Sequence, residues 1–229
     1  MAAVRAGADA IGMVFYKPAP RCVTIERARE IMAVLPPFVT PVGLFVDADV
    51  AEMRDTIESL GLRHVQLHGH ETPETVAALH DRIVLKAVRV STETLAAELE
   101  AWRRAISKYA LHNLRGFVLE TAGKGVGGTG IENDWAMIAR LQREGVFDGL
   151  PPIIAAGGLR PENVAGVIRE LRTWAVDVSS GVEEALGKKS VEKMDAFVRA
   201  VMEMGIPFPY IAPGTPREGF IPLETLGDK

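Results

Sequence analysis

"PIIAAGGLRPENVAGVIRELRTWAVDVSSG", residues 152–181, holds the fold in miniature. Residues 153–159 begin with the β-branched Ile153 and Ile154 and close on Gly157 and Gly158. Residues 160–171 then follow a helical period. Pro161 and Glu162 stand at its start, where a missing N–H costs nothing and a carboxylate complements the helix dipole. Residues 175–181 return to an apolar run and end on Ser179, Ser180 and Gly181. A strand, a helix and a second strand in so short a span predict two parallel strands joined by a crossover helix.

The same alternation runs through the chain. Further strands are expected at 8–15, 40–47, 64–69, 83–90 and 115–121. Most are nearly continuous in apolar residues, as strands buried on both faces of a parallel sheet are. Helices are expected at 24–35, 48–60, 72–80, 92–108, 132–144 and 190–204, with Thr24 and Thr72 as start signals. Seven strands are thus visible, preceded by a helical stub that Gly7 ends. An open seven-strand sheet is one solution. An eight-strand barrel whose first strand is missing is the other, favoured because the stub reads as the back half of a longer helix. Residues 1–204 form one domain in this reading. Residues 205–229, rich in Pro and Gly and without a period, form an extended tail or a surface strap.

Bulk properties narrow the function. The chain has 229 residues, 48% hydrophobic and 24% charged, within the range of one large soluble domain. A net charge of −4 leaves no electrostatic footprint for nucleic acid. There is no apolar run long enough for a membrane span, and the start does not read as a signal peptide. The lone Cys22 excludes an internal disulfide and fits a reducing cytoplasm. His64, His68, His70 and His80 show no metal-ligand spacing, so no metal is assigned.

In a parallel barrel the functional groups sit at the carboxyl ends of the strands. Those ends carry Arg21 in "FYKPAPR", Asp47, His68-Gly69, Arg89, Glu120 before the loop "AGKGVGGTG", Gly157-Gly158, and Ser179-Ser180-Gly181. The last two ends are small and leave backbone N–H groups free, which suits a phosphate next to a helix N-terminus. The alternative is that these glycines only permit tight turns. The glycine loop after Glu120 is not a P-loop, because no Gly-Lys-Ser/Thr ending follows.

Taken together, "GADAIGMVF", "APR", "VQLHGHETPE", "LKAVRV", "GGTGIENDW", "AAGGLRPENV" and "VDVSSGVEEALGKKS" resemble the phosphoribosylanthranilate isomerase family over residues 1–204. The resemblance implies a (β/α)8 TIM barrel of the ribulose-phosphate-binding type, here lacking its first strand. It also implies an Amadori rearrangement of N-(5-phosphoribosyl)anthranilate to the 1-amino-1-deoxyribulose phosphate, without cofactor or metal. The partners it implies are a small phosphorylated substrate and, at most, a second copy of the chain. It puts Arg21 on the anthranilate carboxylate and the phosphate on Gly157, Gly158, Ser180 and Gly181. Asp47, His68, Gly128 and Asp177 become substrate-facing candidates.

Two positions depart from the family pattern. Its general acid is an aspartate, and here that place reads "LET", making Glu120 the candidate acid. Its general base is a cysteine on the first strand, which this sequence does not show; the chain is therefore expected to be impaired. Cys22 is read as a half-buried packing residue rather than as a substitute. Trp102, Trp135 and Trp174 are read as packing residues, and "LGKKS" as a solvated loop. Two alternatives stay open: an inactive barrel that still binds a phosphorylated ligand, and another ribulose-phosphate enzyme such as indoleglycerol-phosphate synthase.

Overall fold

Alternation of apolar runs and capped helical segments produces seven parallel strands in a computed structural model that describes residues 1–121 and 133–204. The strands are β1 (Ala10–Val14), β2 (Thr40–Phe45), β3 (His64–Leu67), β4 (Ile83–Val90), β5 (Leu114–Thr121), β6 (Ile153–Ala155) and β7 (Ala175–Val176). They pair in chain order, so β1 and β7 are the edges of one sheet. Helices α2 (Ile25–Ala33), α3 (Val50–Leu60), α4 (Pro73–Ala78), α5 (Leu95–Tyr109), α6 (Trp135–Arg143), α7 (Val164–Leu171) and α8 (Val191–Met202) each follow a strand. The stub is α1 (Ala2–Ala6), which Gly7 terminates and which packs against α8.

Local chemistry sets several boundaries. The Thr24 hydroxyl accepts from the Arg27 N–H, Asp49 caps α3 through Ala51, Asp134 caps α6 through Met137, and Ser190 caps α8 through Lys193. Thr72 precedes α4 but makes no side-chain cap. The last strand is shorter than expected: it stops at Val176, and Ser180–Val182 form a single 3-10 turn. Helix α7 starts at Val164, because Asn163 holds the preceding segment as a turn. Its Oδ1 accepts from Arg160 N at 2.7 Å, and its Nδ2 donates to Gly158 O at 3.0 Å. "LGKKS" is not simply a solvated loop. It belongs to a hairpin of β8 (Glu183–Ala185) and β9 (Lys188–Lys189). The 205–229 tail lies outside the described residues.

Side-chain alternation divides the strands between two layers. Val65, Leu67, Val84, Val88, Phe117, Leu119 and Ala155 join the large core under the helices. Leu85, Ala87, Val118, Ile154 and Ala156 form a small cluster on the other face, the concave interior. Trp102 and Trp135 are buried as packing residues, whereas Trp174 is 43% exposed and Cys22 is exposed rather than half-buried. No helix of the described residues is long and apolar enough to cross a membrane.

One ionic contact fixes the carboxyl ends of the central strands. Lys86, on the helix side of β4, donates to Glu71 at 3.0 Å, with both side chains almost wholly buried. It also donates to the carbonyls of Gly69 at 2.7 Å and Ala87 at 2.9 Å. Glu71 in turn accepts from the N–H groups of Asp47 and Gly69. The pair ties the ends of β2, β3 and β4 into one unit. Removing one partner leaves a buried charge uncompensated, so Lys86→Met is expected to lower the unfolding free energy by about 3–5 kcal/mol. Urea denaturation measures this, and a loss below about 1 kcal/mol would show that the pair is dispensable.

Candidate active site

The parallel register delivers the polar ends of all seven strands to one mouth. On β5, Val118 faces the interior and Glu120, two residues on, faces the same way at the rim. On β7, Asp177 follows Val176 and is held by its N–H to Ala155 O at 2.8 Å. Glu120 and Asp177 line one cavity together with residues 157–159 and 178–181. Burial, then the like charge of Asp177, pushes the Glu120 carboxyl up to about 7. Asp177 is exposed at the sheet edge, and the desolvation of its carboxyl by surrounding protein atoms raises its pKa too. A half-buried carboxyl that keeps its proton near neutrality is suited to general acid work.

The rest of the cavity wall is backbone. The N–H groups of Gly157, Gly158, Ser180 and Gly181 make no hydrogen bond among the described residues. Gly157 and Gly158 adopt φ of 84° and 68°. At Gly181 a Cβ would meet Leu159 O at 1.8 Å, so only glycine allows the 3-10 turn to lie against the loop after β6. Unpaired donors converging from two adjacent loops form a nest of the kind that can hold an anion.

The other candidates occupy different ground. Arg21 places Nε and Nη2 on the two carboxylate oxygens of Glu183, each at 2.7 Å, with Lys189 on the same carboxylate at 3.0 Å. Those two cations hold Glu183 at about 2. His68 is buried on the interior face of β3, where Gln66 Nε2 lies 2.8 Å from its Nδ1. Burial and the Lys86 charge bring it down to about 4, so it is neutral at physiological pH. Asp47, with φ 48°, does not cap α3; its carboxylate is bonded to His70. Gly128 and the glycine loop after Thr121 lie outside the described residues. Among the described residues no cluster of three His, Cys, Asp or Glu is arranged for a metal.

Sequence reasoning missed Glu183, Lys189 and the Lys86–Glu71 pair. A carboxylate two residues after "SSG" carries no signal of its own, because its partner Arg21 is remote in sequence. Arg89 had a readable signal: it continues the Leu85, Ala87 alternation, so a cation ends the interior row of β4.

Three comparisons bear on this geometry. A family model described as N-(5'phosphoribosyl)anthranilate (PRA) isomerase matches residues 1–200. An N-(5'-phosphoribosyl)anthranilate isomerase of Pseudomonas syringae pv. tomato is 46% identical over 204 residues, covering 88% of this chain and 90% of its own. The chain also resembles the solved phosphoribosyl anthranilate isomerase of Thermotoga maritima, at 34% identity and a TM-score of 0.75, covering 88% of this chain and 92% of that one. A further solved isomerase, in complex with reduced 1-(o-carboxyphenylamino)-1-deoxyribulose 5-phosphate, is similar at 33% identity and a TM-score of 0.72, covering 88% and 91%.

The Glu120 shift has a consequence for stability. An unfolded glutamate releases its proton near 4.5, whereas folded Glu120 keeps it to about 7. Folding therefore takes up a proton between these values. The associated stability is complete below about pH 4.5 and is lost as pH rises through about 7. Glu120→Gln removes that loss and is expected to raise stability relative to the parent by about 1–3 kcal/mol more at pH 8 than at pH 4.5. Urea denaturation at the two pH values reads it, and parallel pH profiles would refute the assignment.

Proposed function

The chain belongs to the N-(5'-phosphoribosyl)anthranilate isomerase family, and from that premise we propose how its own residues carry the reaction. It is an enzyme, an isomerase of tryptophan biosynthesis. The observation that carries the residue assignment is the shared cavity, in which the Glu120 carboxyl adjoins four N–H groups unpaired among the described residues.

The substrate phosphate is held by the N–H groups of Gly157, Gly158, Ser180 and Gly181. This fixes the ribose beneath Glu120, which donates its proton to the furanose ring oxygen as the bond from that oxygen to C1 breaks. The anthranilate nitrogen supplies the electron pair, forming an iminium at C1. A base then takes the C2 proton, giving an enolamine that ketonises at C2 with a proton delivered to C1. Asp177 acts through Glu120, its charge adding to the burial that already raises that carboxyl's proton affinity. His68, neutral and buried, can only offer a hydrogen bond. Arg21 has Nη1 left for a substrate carboxylate, its other edge being occupied by Glu183.

The same reading covers the architecture. We propose that the seam between β1 and β7 is the position of an eighth strand of a (β/α)8 barrel. Support comes from the helix layer: among the described residues there are eight α-helices to the seven strands of the parallel sheet, and α1 packs on α8. A strand there would face the cavity from the side opposite β5.

Glu120→Gln is expected to lower kcat by about 10²–10⁴-fold with KM little changed, and to fail to support a tryptophan auxotroph lacking this activity. Turnover equal to the parent's would remove Glu120 from the acid role. Gly181→Ala is expected to weaken inhibition by inorganic phosphate by at least about tenfold, because the added methyl must displace the Leu159 carbonyl. Unchanged inhibition would place the phosphate elsewhere.

A further inference from the structure

His64, Gln66 and His68 alternate along β3 and its carboxyl end, so the three lie on one face of the sheet. Gln66 stands in register with Leu44 on β2 and Leu85 on β4, and Leu85 belongs to the apolar interior cluster. Both Gln66 and His68 are buried. An amide in that company costs free energy unless it is hydrogen-bonded, so the bond it makes calls for a reason.

That bond runs to the histidine two residues on: Gln66 Nε2 lies 2.8 Å from His68 Nδ1. An amide nitrogen donates and cannot accept, so Nδ1 is the acceptor. A neutral imidazole with Nδ1 as acceptor carries its hydrogen on Nε2. Protonation would set a second N–H against the amide N–H, so the same contact keeps the ring neutral. Burial acts in that direction first, then the cations Lys86 and Arg89, while the carboxylate of Glu71 opposes them. The Nε2 side is open. It makes no hydrogen bond among the described residues, and the fully enclosed side-chain atoms left without a partner belong to Arg82, Asn133 and Trp135 instead.

We infer that Gln66 is a positioning residue: it locks His68 as the Nε2–H tautomer and so presents a fixed hydrogen-bond donor to the substrate. Of the oxygens in the proposed reaction, the one at C2 gains most from such a donor, because it gathers negative charge as its proton leaves. A ring locked in this way has no free lone pair, so His68 cannot take the C2 proton.

The inference rests on the isomerase reading for the identity of the ligand, and its test separates the two. The full chain, carrying isotope-labelled histidine, is followed by long-range proton–nitrogen correlation spectra from about pH 5 to about pH 8. A His68→Asn variant identifies the resonance. In the parent, His68 is expected to stay neutral throughout, with Nδ1 bare and Nε2 protonated. Gln66→Leu removes the donor at similar size and is expected to give a mixture of the two tautomers. Gln66→Glu offers an acceptor instead; it is expected to move the hydrogen to Nδ1 and to raise the pH of ring protonation by about 1–3 pH units. A parent with its hydrogen on Nδ1, or the parent tautomer kept in either folded variant, would overturn the role of Gln66. Reduced 1-(o-carboxyphenylamino)-1-deoxyribulose 5-phosphate is then added, with binding followed by calorimetry, and is expected to shift the Nε2–H resonance of the parent. Binding without that shift would overturn the donor role and leave the isomerase reading intact. A parent that keeps the Nε2–H tautomer but does not bind this ligand would overturn the isomerase reading and the donor role, with the lock by Gln66 upheld.

Discussion

A parallel sheet must cover both of its faces, and here the two coverings are unequal. Helices bury one face under a large apolar core, while the other closes on a few small side chains, Leu85, Ala87, Val118, Ile154 and Ala156. Because all strands point the same way, the rank above that small cluster is where polar side chains can be tolerated. Glu120, Asp177, His68 and Arg89 occupy that rank. The raised proton affinities of Glu120 and Asp177 and the lowered one of His68 follow chiefly from burial.

Two ionic assemblies manage the cost of so much charge at one end. Lys86 and Glu71 lie on the helix side, satisfied by each other and by backbone groups, and they stiffen the ends of three strands. Arg21, Glu183 and Lys189 lie at the open edge and hold the loop after β1 to the hairpin after β7. Both contacts keep cations away from Glu120. Burial raises its proton affinity most, the charge of Asp177 adds to that, and the Thr121 N–H and Arg89 oppose it.

Much of this was legible in the sequence. The apolar runs, the caps at Thr24 and the Gly-rich ends after β6 and β7 gave the order of elements and the location of the nest. Glu120 was found from its place at a strand end. Three things were not legible, each for a physical reason. The end of β7 depends on a close approach between Gly181 and Leu159, a contact between different loops. The start of α7 depends on Asn163 bonding its own neighbours, which competes with a helical turn. The fate of Arg21 depends on a carboxylate far along the chain. Periodicity reports which face a residue takes, not which remote partner it meets there.

The contact between Gly181 and the Leu159 carbonyl has a mechanical meaning. Two loops that touch backbone to backbone cannot shift independently, and Asn163 further pins one of them. The four N–H groups are therefore aimed before any ligand arrives. An anion entering there has little backbone freedom to freeze, so the ordering penalty of association is largely met during folding. The nest is a rigid gauge of position, and in the proposed mechanism the chemistry at Glu120 inherits its precision from it.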